Sequence, residues 1–324
     1  MVKAIRIHEA GGPEVLRYED VDVPAPAAGE VLLKQKACGL NYIDVYHRMG
    51  AYPLKYPATI GMEGMGEVEA VGEGVSAFKP GDRVAYADMP PGAYAEARVM
   101  PWHRLVKLPD QIDDQTAAAM MLQGMTVEYL IRRTFKVSKG DTVLFHAAAG
   151  GVGLIACQWL NHLGATVIGT VGSEEKAKLA KEHGCHHTIN YRSEDFVARV
   201  KELTDGKGVP VVYDSVGKDT FEGSLDCIMP RGMMVLFGAA SGPAPSIDPN
   251  VLNKKGCLYL TRPSLMVYNK ERADLEACAA ALFDVVTSGK VKIEVNQTYP
   301  LKDTAQAHRD LEARKTTGST VLLP

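Results

Sequence analysis

The 324-residue chain sets 36 Lys and Arg against 39 Asp and Glu, a formal charge of −3, which argues against a dedicated binder of nucleic acid or another polyanion. With 46% hydrophobic and 23% charged residues it has apolar surface for real cores, and its length suggests about two domains. No apolar run reaches the roughly 18 residues of a membrane helix, and the opening MVKAIRIHEAGGPEVL has charges where a signal peptide is apolar, so a cytoplasmic protein is expected.

Taken in chain order, the first part holds short apolar runs at 2–7, 30–37, 66–71, 83–86 and 94–99, broken by turn signals such as Pro80-Gly81-Asp82 and Pro90-Pro91-Gly92. This pattern predicts a mainly antiparallel β domain. From about Gln115 the texture turns helical, through AAAMMLQGMTVEYLIRR. Strands are then expected at 142–147, 165–171, 186–190, 210–216, 233–238 and 257–261, with amphipathic helices such as 152–163 and 174–183 between them. Apolar strands joined by helices specify a parallel sheet covered on both faces, a doubly wound α/β domain. A helix near 271–288, a strand near 291–299, a helix at 301–313 and a strand at 319–323 complete the chain. The cysteines Cys38, Cys157, Cys185, Cys227, Cys257 and Cys278 are dispersed without a CxxC pair. They read as reduced, mostly buried thiols.

The most informative stretch is FHAAAGGVG at 145–153, a strand running through small residues into a helix. Such a loop lets backbone N–H groups approach a pyrophosphate at a helix N-terminus. Gly150 and Gly153 match the second and third glycines of GxGxxG, while Ala148 stands in place of the first. The strand–loop–helix context favours a dinucleotide over a plain tight turn.

About 20 residues further on, an NAD site usually places a carboxylate against the ribose. Here the second strand ends Val171-Gly172-Ser173, followed by Glu174, Glu175 and Lys176. A tip without a carboxylate leaves room for a 2′-phosphate, held by Ser173, Lys176 and a more distant cation, and NADPH is the expected cofactor. In the competing reading Glu174 or Glu175 grips the ribose. Both also suit the first turn of a helix capped by Ser173, and Lys176 alone suits a solvated surface.

With GGPEVL at 11–16, GLNYIDVYHRMGAY at 39–52, PGDRVAY at 80–86, the 145–153 loop, VYDSVG at 212–217 and TRPSL at 261–265, the chain resembles, over its full length, the zinc-free NADPH:quinone oxidoreductases, zeta-crystallins included, of the medium-chain dehydrogenase/reductase superfamily. In that family AxxGxxG, here Ala147, Gly150 and Gly153, is the usual form of the loop. The resemblance implies a GroES-like β-rich catalytic domain over 1–124, a Rossmann NADPH-binding domain over 125–262 and a return segment, 263–324, completing the first. It places Asn41, Tyr42, Ile43, Asp44 and Thr126 at the nicotinamide end, and Ala149, Gly150, Gly151 and Val152 under the pyrophosphate. Gly172, Ser173, Lys176, Tyr191 and Arg314 would surround the adenosine phosphate. Ser215, Phe237, Gly238, Ala239, Arg262, Pro263, Ser264 and Leu265 would complete a groove between the domains. A homodimer through the edge strand near 257–261 is implied as well.

Where zinc-dependent relatives carry their first two ligands, this sequence has Asn41 and Met62, neither of which replaces a thiolate or imidazole at Zn2+. His8, His47, His103, His146 and His162 are dispersed and form no HxxxH or HExxH pair among them, so no metal is expected. A quinone or enone is already electrophilic, and positioning supplies much of the help it needs. Asn41 and Thr126 would orient the reactants, Asp44 would organise the loop, and Tyr52 would line the pocket and donate a hydrogen bond or proton. Their bland counterparts are a turn cap for Asn41, backbone bonding for Asp44 and simple packing for Tyr52. Reduction of quinones is the leading reading, reduction of enones or activated carbonyls its neighbour. A nucleotide-binding protein with an RNA-binding or structural role is the reading from another class, and no basic aromatic patch supports it.

Overall fold

The computed structural model describes residues 1–324. The chain divides into two units, Met1–Met125 with Asn269–Thr287 and Ile293–Pro324, and Thr126–Tyr268 with Ser288–Lys292.

The first unit is built on two sheets. The larger runs in the order Val295–Pro300, Ser319–Leu323, Glu30–Leu40, Glu63–Val71, Arg83–Ala87 and Val106–Lys107, with Ala97–Pro101 also pairing to Glu30–Leu40. The C-terminal strand lies antiparallel to Glu30–Leu40, Thr320 opposite Leu40 and Leu322 opposite Cys38. Along Glu30–Leu40 buried positions alternate at first and then become continuous over 37–40, where both faces are covered. That fully covered end delivers the chain to Asn41. The core gathers Ile5, Ile7, Val31, Leu33, Ile60, Val68, Tyr94 and Leu322.

Two local expectations change. The strand Arg17–Val21, paired to Val2–Ile7, has no apolar alternation because it is half exposed at a sheet edge. The strand expected at 94–99 is displaced to Ala97–Pro101. Tyr94 and Ala95 are apolar because their segment is buried, and the Tyr94 N–H bonds the Ile60 carbonyl at 3.0 Å.

The second unit carries a six-stranded parallel sheet in the order His187–Asn190, Thr166–Val171, Thr142–Phe145, Val209–Asp214, Ile228–Leu236 and Tyr259–Thr261. The order reverses between Thr142–Phe145 and Val209–Asp214, and the loops leaving the C-terminal ends of those strands form the switch point where such sheets bind ligands. Tyr259, on the edge strand, is 60% exposed. Five of the six cysteines are buried, Cys257 being exposed, and all are free thiols. No helix is long and apolar enough to cross a membrane.

Candidate active site

In the second unit the strand Thr142–Phe145 enters the small-residue loop, and the helix Gly151–His162 starts with Gly150 as its N-cap. Ala147 takes the left-handed conformation, φ 56°, which costs an L-residue roughly 1–2 kcal/mol. The alanine in the strained place is thus Ala147. Ala148, which the sequence pattern aligns with the missing glycine, is a fully buried packing residue. A Cβ on Gly153 would drive into the Ala147 carbonyl and come within 2.7 Å of the Ala148 backbone, whereas one on Gly150 would meet only the Ala147 oxygen, at 3.3 Å. Gly153 therefore serves helix-to-strand packing, while at Gly150 a side chain would press on a single backbone oxygen at the start of the helix.

The left-handed turn is held from beneath. Asp214 accepts from the N–H groups of Val216 and Gly217 at 2.7 and 3.0 Å, and from the hydroxyls of Thr220 and Ser224 at 2.7 and 2.8 Å. Because Ser224 gives its hydrogen to the carboxylate, its oxygen accepts from His146 Nε2, 2.9 Å away. That fixes the tautomer: His146 Nδ1 accepts from Thr170 Oγ1 at 2.9 Å, and Thr170 in turn accepts the Ala147 N–H at 3.4 Å. Burial pushes the imidazole below its usual range, against the opposing Asp214 charge, so the ring stays neutral as the pattern requires. A histidine that the sequence leaves to a default core role ties the two switch-point loops together.

At the tip of Thr166–Val171, Ser173 caps the helix Glu174–Glu182 by accepting the Lys176 N–H at 3.3 Å. Glu174 accepts from Asn190 Nδ2 at 3.1 Å. The Glu175 carboxyl is drawn below its usual range by its own N–H and by Ser173. Both acids thus serve the helix start. Tyr191 covers Gly172, where an added Cβ would lie 2.5 Å from the phenol oxygen. Ser215, Phe237, Gly238 and Ala239 sit on adjoining loops: the Phe237 N–H bonds the Asp214 carbonyl at 2.8 Å, the Ala240 N–H bonds the Ser215 carbonyl at 3.1 Å, and the Phe237 ring packs on Phe145. Arg262, Pro263, Ser264 and Leu265 follow the edge strand, with Leu265 buried. Thr126 lies buried in the helix Asp114–Tyr129, just past the division between the units.

The first unit carries the second constellation. Asn41 ends the long strand and caps the helix Tyr42–Arg48. Its N–H donates to Asp44 Oδ2 at 2.9 Å, while the Asp44 N–H returns to the Asn41 carbonyl at 3.0 Å. Asp44 is fully buried and also accepts the Tyr94 hydroxyl at 2.7 Å. Burial pushes it up to about 7, against the Tyr94 hydroxyl and the Asn41 and Met62 amides. Asp44 thus acts on the loop through Asn41 and Tyr94. Tyr42, Ile43 and Tyr46 follow on the same helix. Tyr46 stands 5.5 Å from the Tyr42 ring and 5.7 Å from Tyr52, which is 40% exposed. Arg314 belongs to this unit, in a left-handed turn after the helix Thr304–Glu312.

Glu63 is the functional candidate the sequence reading passed over. It is fully buried, accepts Asn41 Nδ2 at 2.6 Å and the Leu122 N–H at 2.9 Å, and burial pushes it up to about 8. The available signal was a lone carboxylate inside the otherwise apolar, glycine-flanked Gly61-Met62-Glu63-Gly64. Met62 beside it is fully buried, and no three His, Cys, Asp or Glu side chains are grouped so as to hold a metal ion.

Comparison with known proteins places this geometry. Residues 27–110 match the family described as alcohol dehydrogenase GroES-like domain, and residues 151–280 match zinc-binding dehydrogenase. A quinone oxidoreductase of Pseudomonas aeruginosa is 54% identical, covering all of both chains. A 2-haloacrylate reductase of a Burkholderia species is 47% identical over all of this chain and 99% of its own. The crystal structure of Escherichia coli quinone oxidoreductase complexed with NADPH superposes with a TM-score of 0.98 at 48% identity, covering 99% of this chain and all of that one. Identity of this depth, carried through both units, makes the chain an oxidoreductase of the quinone oxidoreductase family, within the medium-chain dehydrogenase/reductase superfamily.

Proposed function

We propose that the protein reduces quinones with NADPH by hydride transfer that needs no metal. The observation that carries the cofactor assignment is the strand tip, where Gly172 and Ser173 stand in place of a ribose-gripping carboxylate and Glu174 and Glu175 are engaged by Asn190 and by the helix start, leaving Ser173 and Lys176 to a 2′-phosphate. The bare glycine at Gly150, the N-cap of the following helix, suits the close approach of a pyrophosphate to that helix's unpaired N–H groups. Ala149, Gly150, Gly151 and Val152 would hold it, with Gly172, Ser173, Lys176, Tyr191 and Arg314 around the adenosine phosphate. Ser215, Phe237, Gly238, Ala239, Arg262, Pro263, Ser264 and Leu265 would border the remainder. When bound, the dihydronicotinamide supplies the hydride.

The chain's own residues position and polarise. Asn41 and Thr126 orient the reactants, Asp44 keeps Asn41 in place, and Tyr42, Ile43 and Tyr52 shape the apolar wall. A thioether and an amide at Met62 and Asn41 suit Zn2+ poorly, and a quinone needs no Lewis acid to accept hydride. Activated enones are the second reading, favoured by the relative that reduces 2-haloacrylate. We place the protein in the cytoplasm as a homodimer joined along the exposed edge strand Tyr259–Thr261.

Stopped-flow oxidation of NADPH against benzoquinone, naphthoquinone and 2-chloroacrylate, with and without chelator, tests these points together. Rapid quinone-dependent consumption unaffected by chelator is expected, with NADPH binding more tightly than NADH. Equal affinities or chelator-sensitive turnover would overturn the assignment.

A further inference from the structure

Asn41 is the head of a buried chain of hydrogen bonds whose direction is not symmetric. Ser319 Oγ lies 2.8 Å from Gln123 Oε1, Gln123 Nε2 lies 3.2 Å from Asn41 Oδ1, and Asn41 Nδ2 lies 2.6 Å from Glu63 Oε2. In this sense each group donates toward Glu63, and the carboxylate is the terminal acceptor. The Ser319 hydroxyl has one hydrogen but a second acceptor in reach, the Ala119 carbonyl at 3.1 Å. If it turned to Ala119, the chain would run the other way: Gln123 Nε2 to Ser319, Asn41 Nδ2 to Gln123, and a hydrogen from Glu63 to Asn41 Oδ1. Amide oxygen and nitrogen are assigned by such networks, and the two arrangements use the same heavy-atom positions. The side-chain oxygen of Asn41 also faces the Asp44 N–H, which favours the first.

We propose that Glu63 is a positioning residue whose carboxylate sets the polarity of this chain, so that Asn41 presents its second amide N–H, rather than a carbonyl oxygen, to the reacting carbonyl. The proposal rests on the reading that Asn41 borders the reacting centre. An N–H aimed at a carbonyl oxygen favours the negative charge that hydride addition builds there, and an oxygen in the same place opposes it. Gly39 is part of the device, because a Cβ there would strike both the Glu63 carboxyl and the Ala118 carbonyl.

Protonation reverses the chain by the same geometry. Leu122 needs an acceptor at Glu63 Oε1, so a proton added to Glu63 sits on Oε2 and points at Asn41. The titratable neighbours are Asp44 on the Tyr42–Arg48 helix, Tyr94 across from it, and Cys38 on the preceding strand. The helix Asp114–Tyr129 offers only the Met121 and Leu122 amides, and Arg98 acts on Cys38. Burial is the larger influence on Glu63 and the charge of Asp44, itself raised to about 7, the smaller; against the Asn41, Leu122 and Met121 hydrogen bonds they raise its proton affinity to about 8. The N–H is therefore offered above about pH 8 and withdrawn as the pH falls through that value.

Glu63→Gln makes the reversed chain permanent, since its oxygen must still serve Leu122 and its NH2 then faces Asn41. The test reads the Asn41 side-chain amide by 15N NMR of the full-length protein, assigned by its loss in Asn41→Ala, together with kcat/KM for NADPH and naphthoquinone. In the parent the amide signal is expected to move with the Glu63 carboxyl 13C signal, followed apart from that of Asp44 near pH 7, and in Glu63→Gln to keep its low-pH position save for the Asp44 step. The variant should lose about tenfold or more in kcat/KM at pH 9, about 1.4 kcal/mol, and match the parent at pH 6. An Asn41 signal unmoved by both pH and substitution overturns the polarity. A signal that switches while kcat/KM does not removes Asn41 from the reacting centre, and the catalytic role of Glu63 with it. Should the variant fold poorly, the pH titration of the parent alone decides the first point.

Discussion

Gly150 and Gly153 lie three residues apart in one loop, yet the structure assigns them opposite duties, and alanine at each separates the two. At Gly153 the new methyl meets backbone, within 2.7 Å of Ala148 Cα and carbonyl carbon and closer still to the Ala147 oxygen. Backbone cannot rotate away, so overpacking of about 1–3 kcal/mol is expected, reduced by up to about 1 kcal/mol because alanine suits a helix better than glycine. For a unit near 150 residues, a net loss of about 2 kcal/mol lowers Tm by roughly 4–8 °C. At Gly150 the methyl meets one oxygen at 3.3 Å with φ −79° and ψ 173°, a conformation any residue adopts. Stability should fall by about 1 kcal/mol or less, since one backbone oxygen must give way by a few tenths of an ångström while the lost flexibility of the unfolded chain offsets the poorer cap. The same methyl would occupy the approach of a pyrophosphate, and NADPH affinity should fall at least about tenfold, or about 1.4 kcal/mol. Calorimetry without ligand and fluorescence titration with NADPH read the two effects apart. A Gly153→Ala protein with parental Tm, or a Gly150→Ala protein that melts early yet binds NADPH normally, would refute the division of labour.

Lys176→Ala and Arg314→Ala should each weaken NADPH about tenfold and NADH about twofold or less, read by paired titrations; equal losses for both nucleotides would remove them from the phosphate. Tyr52→Phe should keep kcat within about twofold, because a reduced quinone takes its proton from water, while Tyr52→Ala raises KM by removing the ring packed on Tyr46 and His47. A large kcat loss in the phenylalanine variant would make the phenol a proton donor. His308 is buried with Nδ1 accepting from Arg48 at 3.1 Å, and burial and the Arg48 charge push it down to about 3. The unfolded imidazole binds its proton near 6.5, so this stability is present above that value and is lost as the pH falls toward 3, roughly 2 kcal/mol of it by pH 5. Melts of His308→Gln, whose amide oxygen can still accept from Arg48, should lose less Tm than the parent between pH 7 and pH 5. Asp44 and Glu63 have the opposite sign and are common to both proteins, so they cancel in that difference.

What the sequence disclosed follows from where each feature keeps its energy. The parallel sheet was legible because strands buried on both faces are continuous apolar runs, and the phosphate loop because its small residues answer a steric demand written in consecutive positions. Arg17–Val21 was not, since its pairing is made by backbone and its side chains stay half in water. Tyr94 misled in the other direction, its apolar surroundings reporting a buried loop. The left-handed turn at Ala147 was not legible, because Ala147 and Ala148 are alike as letters and it is φ that separates them. The roles of His146 and Glu63 went unread for one reason, even though Glu63 stood out as a lone carboxylate in its segment. Each acts through partners distant in sequence, Ser224 and Asp214 for the first and Leu122, Gln123 and Ser319 for the chain that includes the second, and no local spacing encodes those meetings.

The same contrast explains what the pair Asn41 and Met62 has become. A thiolate and an imidazole at these positions would be unable to share a proton-ordered chain with Gln123 and Ser319 and also bind a cation. An amide gives up the cation and joins the chain, since it offers a donor and an acceptor at two edges of one planar group. Once Asn41 is that amide, the adjacent carboxylate has no cation to hold it ionised, and burial draws its proton affinity upward into the physiological range. The substitution that makes a metal centre chemically unsuitable here thus also makes the neighbouring Glu63 titratable. Any control of Asn41 by Glu63 depends on both residues together, so Asn41→Asp, which keeps the size but sets a second carboxyl 2.6 Å from the first, should leave the pair sharing one proton and holding it to higher pH than Glu63 does in the parent; carboxyl 13C titration of the variant checks this, and a Glu63 signal that titrates as in the parent would refute it.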